Sequence, residues 1–114
     1  MKAQSQPSAF YVSVLFRMEG GLWVAQCLEY DIAAQGKTIK DAQAALEKTF
    51  IGQICVDIHN KKAPLQGIPQ APRECWEAFA DSERLAERRP FYMPESIPPA
   101  YMIQATAQEM RVYG

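Results

Sequence analysis

Apolar and polar residues alternate twice in the first third of the chain. Phe10, Val12, Val14 and Phe16 interleave with Tyr11, Ser13, Leu15 and Arg17; Leu22, Val24, Gln26 and Leu28 interleave with Trp23, Ala25, Cys27 and Glu29. A period of two, rich in β-branched and aromatic residues, predicts two strands. Met18-Glu19-Gly20-Gly21 joins them, and the loop length decides which faces match. A two-residue loop puts Phe16 on the face of Trp23 and Cys27. A three-residue loop, Glu19 to Gly21, puts the Phe10–Phe16 set with Leu22, Val24, Gln26 and Leu28. The second choice separates apolar and mixed faces more cleanly, and glycine supplies the left-handed residue that such a loop needs near its end. The expectation is therefore the three-residue loop. The opposite face then carries Tyr11, Ser13, Leu15, Arg17, Trp23, Ala25, Cys27 and Glu29, half apolar, to be covered by the C-terminal half or used against a partner.

Tyr30-Asp31 reads as a corner, and Ile32 to Gly36 as a short third strand at a sheet edge. Thr38 then opens a helix. Its hydroxyl can accept from the amide of Asp41, whose carboxylate suits the positive helix start. Ala42, Leu46, Phe50, Ile54 and Ile58 recur every four residues as one apolar stripe, flanked by Ala45, Thr49 and Gln53. Asn60 is the expected left-handed stop, and Lys61 and Lys62 suit the negative end.

Strand, Gly20-Gly21, Trp23, Val24-Ala25, a second strand, Asp31-Ile32, then Gln35-Gly36-Lys37-Thr38 opening a helix with Asp41-Ala42 resembles the HicB-like antitoxin family. The likeness covers about residues 10–58, and most of the matched residues are structural. It implies a small α+β layer, a β-β-β-α-β antiparallel sheet with one long helix on one face, and self-association as a homodimer or homotetramer. Members bind a small RNA-cleaving HicA-like toxin, and often repress their own promoter through a C-terminal DNA-binding segment; others are solitary and lack that segment.

The second half departs from this pattern. Residues 63–72 hold three prolines and a glycine and form an extended connection. Glu74 to Arg89 is helical in composition, with Trp76, Phe79, Ala80 and Leu85 as a loose stripe and mixed charge on the other face. Residues 90–99 hold four prolines with Phe91, Tyr92, Met93 and Ile97 among them, an apolar stretch that packs across something. A fourth strand is placed near Tyr101 to Thr106, with an edge piece at Arg111-Val112-Tyr113. One helix running into prolines lacks the paired helices of a helix-turn-helix, and Arg84, Arg88 and Arg89 are diluted by Glu83 and Glu87, which argues against DNA.

Composition narrows the chemistry. With 114 residues and 48% apolar content, the chain has enough for one core and one domain: a HicB-like unit at 10–60 and an extension at 61–114 packed on it. A formal net charge of −1 offers no global field for nucleic acid or an anionic membrane. No apolar run reaches membrane-span length, and Met1 to Ser8 read as a polar lead-in without the apolar centre of a signal peptide. Cys27, Cys55 and Cys75 follow no metal spacing, His59 is the single histidine, and three buried thiols fit a reducing cytoplasm. Glu29, Asp31, Asp41 and Asp57 could be read as a Mg²⁺ cluster of a nuclease, yet a strand end, a corner and a helix cap account for the first three without one. No phosphate loop is present, because Gly20-Gly21 joins strands. Tyr11 and Trp23 could stack on bases, but aromatics on a half-apolar sheet face more often meet protein.

The expected protein is an α+β, non-catalytic, cytoplasmic protein-binding module without cofactor or metal. It resembles a HicB-like antitoxin that neutralises a small toxin. The alternative is a solitary HicB-like oligomer, a scaffold or an inhibitor of phage or mobile-element type. The expected interface residues, toward itself or the partner, are Tyr11, Arg17, Trp23, Glu29, Phe91 and Tyr92.

Overall fold

The computed structural model describes residues 8–86, 88–93 and 103–114. The chain order is β1 (Ser8–Glu19), β2 (Leu22–Cys27), β3 (Ala33–Gly36), α1 (Ile39–His59), α2 (Arg73–Ala80), β4 (Glu83–Ala86), β5 (Arg89–Pro90) and β6 (Ile103–Val112). The strands form one sheet in the order β3-β2-β1-β6-β4, with β5 also paired to β6. The architecture is α+β, as expected, but the sheet is mixed. β6 runs parallel to β1 and antiparallel to β4 and β5. The two extended pieces expected after Tyr101 are one strand, with a register shift opposite Val12/Ser13. Pro94, Ile97, Pro98 and Pro99 of the expected proline-rich tail, and residues 1–7 of the lead-in, lie outside the described residues.

The β1–β2 loop corrects the sequence expectation. Glu19 pairs with Leu22, Met18 with Trp23 and Phe16 with Ala25, which leaves a two-residue turn at Gly20-Gly21. Both glycines have positive φ, 57° and 83°, as a tight turn matched to strand twist requires. The right-handed twist of the strands favours this turn over the longer loop, and it outweighs the tidier apolar separation on which the expectation rested. The shift moves Trp23, Ala25 and Cys27 onto the face of Val12, Val14 and Phe16.

α1 packs over β2 and β3 on that face. Thr38 caps it, its Oγ1 accepting the Asp41 amide at 3.0 Å. Ala42, Leu46, Phe50 and Ile54 are fully buried with Val12, Val14, Phe16 and Cys27. Phe50 meets Phe10, Tyr30 and Phe91 edge-to-face at 6.0, 6.0 and 5.2 Å. The helix ends one residue later than expected: Lys61, not Asn60, is left-handed at φ 61°. The Lys61 amide donates to Ile58 and the Lys62 amide to Asp57, the Schellman arrangement.

The other sheet face buries Leu15 and Leu28 against Ala71 and Cys75, with Trp76, Ala78 and Phe79 alongside. The connection before α2 is tied to the corner, since the Asp31 amide donates to Pro69 and the Ala71 amide to Leu28. α2 stops at Ala80, nine residues short of the expected Arg89, and the chain turns at Asp81-Ser82 into β4. Helical composition at Glu83–Ala86 and at Arg89 yields to pairing with β6, which completes the sheet; tertiary pairing overrides weak helix propensity here.

Candidate functional site

The six residues expected at an interface do not form one surface. Tyr11 is 53% exposed and Tyr92 71% exposed. Tyr11 follows the Ser13, Leu15 and Arg17 side of β1, whereas Tyr92 follows Phe91 beside α1. Phe91 is core, its amide bound to the Ala105 carbonyl and its ring against Phe50. Trp23 is half-buried against the α1-side core, away from Tyr11. Arg17 pairs with Glu19 at 2.7 Å and reaches toward Cys75. Glu29 accepts both the Ser13 amide, at 2.6 Å, and the Ser13 hydroxyl, at 2.8 Å, so its carboxylate substitutes for strand pairing.

The other acidic side chains singled out in the sequence also have structural partners. Asp31 accepts Gln26 Nε2 at 3.0 Å. Asp57 accepts the amide of Leu65, a buried residue at φ 64°, together with Gln53 Nε2. Asp41 is exposed at the helix start. Among the described residues no three His, Cys, Asp or Glu side chains converge as a metal site. Burial pushes the Cys27 thiol up to about 12, and the nearby Glu29 and Asp31 carboxylates add to the rise. A thiol so held is no nucleophile near neutral pH.

Glu47 is a further residue of this region, not among those singled out in the sequence. Its side chain is 4% exposed and accepts three donors: Gln43 Nε2, Arg89 Nε and the Tyr92 amide, each at 2.9 Å. Gln43, Glu47 and Ile51 form a second buried row beside the apolar stripe, so α1 buries a wider face than its apolar residues outline. The available signal was the Gln43/Glu47 spacing of four on the flank opposite Ala45, Thr49 and Gln53.

This polar cluster borders a cleft of about 440 Å³. Phe16 and Met110 belong to its sheet side, Ile39, Lys40 and Gln43 to α1, and Leu85 and Ala86 to β4; Arg89 completes the lining. α1 covers the β2–β3 side of the sheet, so the β6–β4 side of the same face carries no helix among the described residues. Leu85 is 41% exposed at the cleft. A neighbouring hollow of about 490 Å³ is lined by Ala44, Glu47, Lys48, Arg89 and Tyr92. The two together are an apolar surface bordered by cations, and among the described residues their one lining carboxylate, Glu47, is already paired with Arg89.

Comparison with protein-family models, with curated proteins and with solved structures finds no match. No helix among the described residues is long and apolar enough to cross a membrane.

Proposed function

We propose that the chain is a non-catalytic protein-binding module of the HicB-like antitoxin kind, whose partner is a small RNA-cleaving toxin. The observation that carries the binding role is the apolar cleft beside the first turns of α1. An apolar concavity with a few polar groups at its rim is the usual form of a binding site. The family part of the reading rests on the resemblance over residues 10–58 and on the order of hairpin, short strand and capped helix. The commitment of Glu29, Asp31 and Asp57 to structural hydrogen bonds supports binding over hydrolysis.

One observation favours the second reading, a solitary HicB-like oligomer serving as a scaffold or inhibitor. β6 lies between β1 and β4, so strands of the C-terminal half complete the sheet, which supports a role for that half in the fold over one in DNA binding. Affinity capture of the tagged chain from its host, with the co-purifying chains identified by mass spectrometry, separates the readings. A stoichiometric small protein whose ribonuclease activity the chain silences supports the first. Recovery of the chain alone, as a defined oligomer, supports the second. Mg²⁺-dependent RNA cleavage by the chain itself, abolished in Glu29→Ala/Asp31→Ala, would remove both.

A further inference from the structure

We propose that the cleft between α1 and β4 receives one large aromatic side chain from an acidic segment of a partner protein. This rests on the reading of the chain as a protein-binding module and names the chemistry that the cleft recognises. Three observations support it. The Phe16, Ile39, Leu85, Ala86 and Met110 lining is apolar, as an anchoring side chain needs.

The second observation is charge. Among the described residues, Lys40 and Arg89 line the cleft and Lys48 the neighbouring hollow, and the one carboxylate, Glu47, is buried and bonded to Arg89. With Arg89 paired to Glu47, Lys40 and Lys48 are the positive charges this surface presents among the described residues, in a chain whose formal net charge is −1. Carboxylates flanking the anchor complement it, and a basic segment is repelled.

The third is Gln43. Its Nε2 donates to Glu47, which fixes the amide orientation, and its Oε1 is buried without a hydrogen-bond partner. An unmet buried acceptor is costly, and an incoming N–H or O–H donor relieves it. Tryptophan and tyrosine combine an apolar body with such a donor. An aliphatic anchor fills the cleft without answering Gln43.

The test uses the full chain, labelled for NMR at backbone amides and methionine methyls. The probe is the synthetic peptide Asp-Glu-Ser-Trp-Ser-Glu-Asp. Its controls are the same peptide with Ala for Trp and one with Lys for every acidic residue. The expected result is saturable shifts at Ile39, Lys40, Gln43, Ala86 and the Met110 methyl. Ala86→Arg, on an exposed position of β4, weakens binding at least tenfold, and an otherwise unchanged spectrum certifies its fold. Lys40→Glu weakens it by a similar factor, and the lysine peptide binds at least fivefold more weakly.

Absence of cleft shifts with the acidic tryptophan peptide overturns the proposal, as does equal affinity for the lysine peptide. Shifts at the cleft that follow dilution of the chain alone would assign the surface to a second copy and also overturn it. Capture of one partner by both wild type and Ala86→Arg removes the cleft proposal and leaves the protein-binding reading standing.

Discussion

Glu47 of α1 and Arg89 of β5 meet at 2.9 Å, although 42 residues separate them in sequence. The carboxylate is buried and the guanidinium half exposed, so the pair fastens the interrupted edge of the sheet to the helix. The same carboxylate holds the Tyr92 amide at 2.9 Å, which fixes the start of the segment that buries Phe91.

Glu47→Ala leaves the Tyr92 amide and the Gln43 amide without their acceptor. The expected cost is about 2–4 kcal/mol, in the range for breaking a buried charge-assisted cluster. Arg89→Ala is expected to cost less, because the carboxylate keeps two donors. Urea unfolding of both variants and the double variant checks this. Additive effects would show that the two side chains do not act as a pair.

Gly36 faces the start of α1 at close range. A Cβ built there lies 2.6 Å from the Ala42 amide nitrogen and 2.7 Å from Asp41 Cβ. Backbone stands in the way and cannot rotate aside, so Gly36→Ala is expected to destabilise by about 1–3 kcal/mol, as overpacking does. An unchanged thermal midpoint would show that β3 and α1 do not approach as described.

The tight turn at Gly20-Gly21 makes a second backbone prediction. Gly21→Val at φ 83° is expected to lower stability by about 1–3 kcal/mol, whereas Gly20→Asn is nearly neutral because asparagine tolerates the left-handed region. Trp23→Glu is expected to lower stability without changing the mass in solution, since Trp23 packs on the α1-side core. A mass change with intact stability would place Trp23 at a subunit contact.

Cys27 carries a pH signature. Its thiol is raised from 9.0 to about 12, first by burial, so the folded state favours the neutral form. That contribution is fully present below about pH 9 and is lost as pH rises toward 12. Wild type is therefore expected to lose stability across this window more steeply than Cys27→Ala. Parallel curves for the two proteins would contradict the assignment. Thiol labelling at pH 8 is expected at half-buried Cys55 well before Cys27.

Local rules made much of the first half legible. Alternation marked β1 and β2, and the Thr38–Asp41 cap with its four-residue stripe marked α1. The turn length was not legible, because two registers satisfied the pattern and strand twist decided between them. β4 was hidden because Glu83–Ala86 has helical composition and becomes a strand only beside β6. The Glu47 cluster was hidden for a related reason. Its donors come from residues 43, 89 and 92, and no short window contains them. The cleft likewise joins β1, α1, β4 and β6, which sequence spacing alone does not bring together.

Affinity capture from the native host, run side by side with wild type and Ala86→Arg, decides whether the chain holds a partner through the cleft. Wild type is expected to bring down a second protein in stoichiometric amount, with its ribonuclease activity silenced, and Ala86→Arg to lose it. Recovery of the wild-type chain alone would contradict the claim that it is a module for neutralising another protein.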